Sequence, residues 1–168
     1  VAATGPGPTN SLTPERSAYF SGREIERWSE ARGIEILGHR PTHHDNGFSR
    51  SNCMLIAGLL EGVDIDALAH RLLEGHWRDD ADLDDPGTLS ALARDVGIDA
   101  SLLLAAASSP EVRATYDANT AEAIERSVFG SPTYFVDGDM FYGQDHLELV
   151  ARAMKAPFSG DWPRPATR

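Results

Sequence analysis

Two short segments in the last third of the chain carry residue types at spacings that suit chemistry. The first is Phe129-Gly130-Ser131-Pro132-Thr133, where a Ser–Pro bond enters a run of β-forming residues. Two readings of it are open. Proline cannot donate to a sheet ladder and is tolerated at the start of a strand, so Pro132 can be a plain strand-entry residue. Alternatively the Ser131–Pro132 bond is cis, and the turn bares the N–H and C=O of Ser131 for pairing with an extended ligand. The second segment is Gly143-Gln144-Asp145, just before an amphipathic helix. An acidic residue there can simply complement the helix dipole. The functional reading adds a ligand: the open N–H groups of the helix start receive a carboxylate while Asp145 holds an ammonium beside it. One site for both signs of charge suits an α-amino acid head group.

Three other groups of chemical side chains read as structural. The run His39-Arg40-Pro41-Thr42-His43-His44-Asp45-Asn46 holds metal-ligand types, but adjacent residues rarely converge on one tetrahedral ion, and no metal is expected. Cys53 reads as a small buried hydrophobe near a helix start. Asp79, Asp80, Asp82, Asp84 and Asp85 lack the spacing and turn glycine of a calcium loop and read as a solvated surface loop.

The elements that must position these residues follow from periodicity and punctuation. Residues 1–13 read as loop, and Thr13 with Pro14 opens a helix. Ile25, Trp28 and Ala31 mark one face of that helix, which stops at Gly33. Ile34 to Leu37 has the length and branching of a short strand, and Gly38 to Ser49 reads as loop. The chain is then helical to about residue 127. Ser51–Leu60 closes at Gly62. Asp64 opens a helix with Leu68, Leu72 and Leu73 on one face. Asp85-Pro86 opens another, with Leu89, Leu92, Ala93 and Val96 in register and Gly97 as its stop. Asp99 and Ser109-Pro110 open two more. Tyr134–Val136, the Asp137-Gly138 turn and Asp139–Tyr142 form a hairpin pattern. The last helix has Leu147, Val150, Ala151 and Met154 on its apolar side, and a loosely held tail follows from Pro157. A hairpin alone is marginal in water. It is therefore expected to pair with Ile34–Leu37, with a segment preceding Val1, or with a partner chain.

Composition narrows the function classes. The chain has 168 residues, 41% hydrophobic and 24% charged, the balance of a globular protein rather than a disordered one. Fifteen Lys and Arg stand against 26 Asp and Glu, a net charge of −11. That weighs against sequence-independent nucleic-acid binding and against adhesion to an anionic membrane. The longest apolar runs, such as Met54–Ala57 and Leu102–Ala107, fall far short of the roughly 20 residues of a membrane span. With Cys53 as the only cysteine, an intramolecular disulfide and a CxxC pair are impossible, and a reducing cytoplasm is the default compartment.

The stretch FGSPTYFVDGDMFYGQDHLELVARA resembles the C-terminal signature of the 2-hydroxychromene-2-carboxylate isomerases, relatives of kappa-class glutathione transferases and of the DsbA-like branch of the thioredoxin fold. SLTPERSAYFSGREIERWSEARGI, HWRDDADLDDPGTLSALARDVGID and SSPEVRATYDANTAEAIERSVFG resemble further family segments in family order, so the likeness covers nearly the whole chain. It implies an α/β, thioredoxin-like (DsbA/kappa-class) fold as a single domain over 1–168. A mainly helical insertion would span 10–127, and 128–156 would supply the hairpin and last helix of the thioredoxin core. The family's N-terminal βαβ unit, and the Ser after its first strand that activates the glutathione thiol, would precede Val1, so no catalytic residue is named.

The resemblance also implies glutathione as the cofactor. Ser131 and Pro132 would pair with its backbone, and Gln144 and Asp145 would hold its γ-glutamyl head. Asn46, Phe141 and Tyr142 would border the substrate pocket, with Phe141-Tyr142 standing where the family often has Phe-Trp. The implied function is a glutathione-dependent isomerase acting on an aromatic pyruvate-type acid in aromatic catabolism. Its chemistry is addition of the thiolate to a conjugated carbon, rotation about a single bond, and elimination of the thiol. A cytoplasmic homodimer is implied, with a small-molecule substrate and neither nucleic acid nor membrane as partner. Two rivals stay open: a kappa-like glutathione transferase or peroxidase, and a non-catalytic thioredoxin-fold binding domain.

Overall fold

The computed structural model describes residues 15 and 18–160. The Thr13-Pro14 helix start and the tail beyond residue 160 lie outside them. The chain divides into two compact units, one within Thr9–Asn119 and the other within Thr120–Arg168, the division falling inside a long helix.

The first unit is all helical among its described residues. A π-helical turn, Tyr19–Arg23, runs into α1 (Glu24–Arg32), which ends on Gly33 at φ +63°. Then come α2 (Ser49–Leu60), α3 (Asp66–Trp77), α4 (Pro86–Asp95), α5 (Ala100–Ala106) and the start of α6 (Pro110–Glu125). Side-chain caps set the starts of three of them. Asp85 accepts from Thr88 N–H (2.6 Å), Asp99 from Ser101 N–H (2.9 Å), and Ser109 Oγ from Val112 N–H (3.2 Å). Met54, Leu68, Leu72, Leu89, Leu92 and Leu103 form the core where α2 through α5 meet. Ile56 and Ala57 of α2 pack with Val112 of α6, and Cys53 lies buried beside them, as a small hydrophobe would. A Cβ on Gly75 would stand 2.8 Å from Leu92, so glycine there lets α3 approach α4 closely.

Ile34–Leu37 is not a strand. Ile34 N–H donates to the Ser29 carbonyl (3.0 Å) and closes α1, while Leu37 N–H donates to the Trp77 carbonyl (2.8 Å) at the end of α3. The β-branched pattern was real, but its backbone groups are taken up by two helix ends rather than by a ladder. The acidic run lies at the surface, as expected, but its carboxylates are paired. Asp79 binds Arg71 (2.7 Å) and Arg78 (2.8 Å), and these guanidiniums hold its carboxyl below the usual carboxylate range. Asp80 accepts from both the N–H and the hydroxyl of Thr42, each at 2.6 Å. Asp82 accepts from Asn46 (2.9 Å), and Asp84 faces Arg50 (3.5 Å). The run clamps the 38–49 loop.

In the second unit β1 (Thr133–Val136) and β2 (Asp139–Tyr142) pair antiparallel with Val136 opposite Asp139, and α7 (Leu147–Lys155) packs on β1. Asp137 (φ +50°) and Gly138 (φ +88°) make the tight turn, both in the left-handed conformation that matches strand twist. Among the described residues the sheet has these two strands, so the expected pairing with Ile34–Leu37 does not occur. The expected apolar face of α7 is also corrected. Ala153 is the residue it buries, Leu147 and Ala151 are exposed, and Met154 is 75% exposed. The hairpin is short, so only a narrow strip of the helix finds cover.

Candidate functional site

The site builds up from the hairpin's open end. The Ser131–Pro132 bond is cis, as the ligand reading requires. Thr133 Oγ1 donates to the Gly130 carbonyl (2.7 Å), closing the loop on itself. One register step beyond the Thr133–Tyr142 pair, Gly143 N–H donates to the Pro132 carbonyl (3.0 Å). That bond holds the Ser131-Pro132 loop beside Gly143, and so beside the 3-10 turn Gln144–His146 that leads into α7. Four residues singled out from the sequence, Ser131, Pro132, Gln144 and Asp145, are thereby brought to one end of the hairpin.

Their side chains differ from ordinary capping groups. No side-chain cap bond forms at this helix start. The carboxylate of Asp145 and the amide of Gln144 have no hydrogen-bond partner among the described residues, and Asp145 and Ser131 are exposed. Gly143 adopts φ +107°, and a Cβ there would run into the Asp145 carboxylate, so the glycine is what lets Asp145 lie where it does. Next in line is His146, whose Nδ1 contacts the Tyr142 carbonyl.

The two aromatic residues expected at the pocket part company. Phe141 is buried and packs near Phe158, with ring centroids 6.0 Å apart. Tyr142 stands 43% exposed against the Phe129 ring (4.7 Å between centroids), and its ring fills the space a side chain at Gly130 would need. The exposed wall beside Ser131 is therefore Phe129 with Tyr142. Phe129 was missed as a site residue, although its place two positions before Ser131 was a usable signal.

In the helical unit, Asn46 is committed to Asp82. Arg40 forms a two-pronged pair with Asp45, and His43 faces Asp82 at 3.6 Å. Among the described residues no group of three or more His, Cys, Asp or Glu side chains is placed to hold a metal ion. Nor is any helix there long and apolar enough to cross a membrane. His44 Nδ1 lies 2.9 Å from Nε2 of His76, a buried histidine that sequence reasoning passed over. Position 76 continues the Leu68, Leu72 core face by one more turn, and that spacing was the signal.

Comparison with known proteins identifies the family and the fold. The family model of the DSBA-like thioredoxin domain matches residues 2–155. A 2-hydroxychromene-2-carboxylate isomerase of Sphingobium xenophagum is 30% identical over 156 residues, covering 89% of this chain and 74% of the relative. The chain belongs to the DsbA-like thioredoxin family, among the 2-hydroxychromene-2-carboxylate isomerases. A second isomerase of that name, from Pseudomonas sp. (strain C18), is 27% identical over 165 residues, covering 96% of this chain and 74% of its own. The solved structure of a selenomethionine 2-hydroxychromene-2-carboxylate isomerase superposes with a TM-score of 0.67 at 28% identity, over 89% of this chain and 70% of that one. The family's fold is thus the fold of this protein, mostly helical with a small two-stranded sheet among the described residues.

Proposed function

We propose that the protein is a glutathione-dependent isomerase acting on an aromatic pyruvate-type acid in aromatic catabolism, as a cytoplasmic homodimer. The observation that carries the glutathione part is the uncommitted pair Gln144 and Asp145 beside the cis Ser131–Pro132 loop. A carboxylate that only capped the helix would accept a backbone N–H, and Asp145 accepts none among the described residues. The donor set suits a γ-glutamyl peptide. Asp145 would take the ammonium, and Gln144 with the open N–H groups of the turn would take the α-carboxylate. The Ser131 backbone would pair with the peptide's own, in the manner of an added strand. When bound, glutathione would supply a thiol able to add reversibly to a conjugated carbon and leave again. The chain's task is to hold the peptide extended, with Phe129 and Tyr142 forming an apolar wall beside it.

Calorimetric titration with glutathione tests this reading. If Asp145 holds the ammonium, Asp145→Asn removes a charge-assisted bond of roughly 1.5–3 kcal/mol, which weakens binding about 10- to 150-fold. Equal affinities for the two folded proteins would remove Asp145 from the site. Turnover of a hydroperoxide or chloronitroaromatic with glutathione, and none of a hydroxychromene carboxylate, would transfer the reading to a glutathione transferase or peroxidase.

A further inference from the structure

Gly130 is a glycine for reasons of room, not of backbone conformation. Its φ lies outside the left-handed region, so an L side chain could adopt the backbone found there. What excludes one is Tyr142. A Cβ on Gly130 would run into that ring, with Cζ 2.9 Å and the hydroxyl oxygen 3.0 Å away. The three atoms nearest such a Cβ all belong to Tyr142. Phe129 backs the same ring, its centroid 4.7 Å from that of Tyr142. The Tyr142 hydroxyl has no hydrogen-bond partner among the described residues, so the contact is one of ring against backbone.

Tyr142 itself gains little from this place. It is 43% exposed, and its backbone is already fixed by pairing with Thr133. The loop gains more. Thr133 Oγ1 fastens the Gly130 carbonyl and Gly143 N–H fastens the Pro132 carbonyl. Between them the N–H and C=O of Ser131 meet no partner among the described residues. The Ser131 N–H turns with the backbone of Gly130, and glycine is the residue that restrains its own backbone least. A ring standing where the Gly130 side chain would be supplies that restraint from outside.

We propose that Tyr142 is a positioning residue for glutathione: its ring takes the place of the missing Gly130 side chain and holds the Ser131 N–H and C=O in the orientation an extended peptide pairs with. This rests on the glutathione reading, and it gives Tyr142 a task beyond its place in the apolar wall. A loop ordered in advance adds no ordering cost when the peptide binds.

The test is a double-mutant cycle on the intact chain, read by calorimetric titration with glutathione and by nitrogen-15 relaxation of the Ser131 amide. Gly130→Ala displaces an exposed ring, and Tyr142→Ala removes it; thermal melts confirm that both variants are folded. Each should weaken glutathione by about tenfold and make the Ser131 amide more mobile. The double variant should bind no more weakly than Tyr142→Ala alone, because Gly130→Ala acts only through the ring. Tyr142→Phe, which restores the ring without the hydroxyl, should recover most of the affinity and the rigidity of Ser131. Unchanged affinity in Tyr142→Ala, additive losses in the double variant, or lost affinity with an unchanged Ser131 amide would each overturn the proposal and leave the glutathione reading standing. A native chain that binds no glutathione would overturn both.

Discussion

In the helical unit Met54, Leu68 and Leu89 are sealed from solvent and every aspartate from 79 to 85 in the acidic run has a named partner. In the hairpin unit Phe141 and Ala153 are the buried apolar residues described, while Phe129, Tyr142, Leu147 and Met154 stand open. Gln144 and Asp145 of its 3-10 turn are equally uncommitted, while His146 Nδ1 meets the Tyr142 carbonyl. The contrast bears on how a carboxylate should be read. Asp85 and Asp145 are both acidic residues at a helix start, but Asp85 accepts from Thr88 N–H and Asp145 accepts from nothing described. Capping accounts for Asp85, whereas the exposed carboxylate of Asp145 is open to water or to a ligand.

The contrast breaks most visibly at the core. Leu68→Ala removes a fully buried side chain between α2, α3 and α4, and should cost about 2–5 kcal/mol in urea denaturation. A loss below about 1 kcal/mol would mean that the helical core collapses around the gap and is no tighter than the hairpin unit.

Next in size is Gly143→Ala. Its φ of +107° is strained for any side chain, at about 1–3 kcal/mol, and the added Cβ must also displace the Asp145 carboxylate. Gly33→Ala is the matched control: φ is +63°, but nothing lies within 4 Å of the new Cβ. Both should lower the melting temperature, and only Gly143→Ala should weaken glutathione in calorimetry. Unchanged affinity there would separate Asp145 from glutathione.

What could be read from residue types divides along the same line. The caps at Asp85, Asp99 and Ser109 and the Asp137-Gly138 turn were legible because each rests on a local rule of backbone chemistry, whereas residue types left the Ser131–Pro132 bond open between a plain strand entry and the cis turn that the structure has. The failures were tertiary. Ile34–Leu37 has a strand's composition, but its N–H groups meet the ends of α1 and α3. The pairing of the acidic run was not legible because its partners Thr42, Asn46 and Arg50 come from a distant loop or from α2. The apolar stripe of α7 was correctly amphipathic, but which strip is covered depends on the width of the hairpin.

A smaller effect comes from pH. An unfolded imidazole titrates near about 6.5, and burial holds His76 below that, with His43, His44 and Asp80 as the charged or titratable neighbours acting on it. The folded state therefore prefers neutral His76. Its contribution is fully present above the unfolded value and is lost as pH falls from there toward the folded one. Stability should decline below about pH 6.5, well before the carboxylates of Asp79 and Asp82, which their hydrogen-bond partners hold below the usual carboxylate range, take up protons. His76→Phe should flatten that first decline in denaturation curves taken across the range. An unchanged slope would assign the decline to other groups.

The smallest effect tests the hairpin unit's openness directly. Met154 is 75% exposed at one end of the α7 stripe, so its thioether gives up almost no water contact on folding. Met154→Ser should then change stability by no more than about 0.5 kcal/mol, the range of ordinary surface substitutions, with serine's weaker helix propensity accounting for most of it. A buried methionine would behave differently, because removing most of its side chain forfeits transfer energy and leaves a gap costing about 2–5 kcal/mol. Denaturation at two protein concentrations distinguishes the cases. A small loss at both concentrations keeps the stripe in water. A loss of about 2 kcal/mol or more that shrinks on dilution would mean another protein surface covers it in solution, since only association makes stability depend on concentration. The exposed face of α7 would then be a docking face, and the contrast between the two units would hold only for the isolated chain.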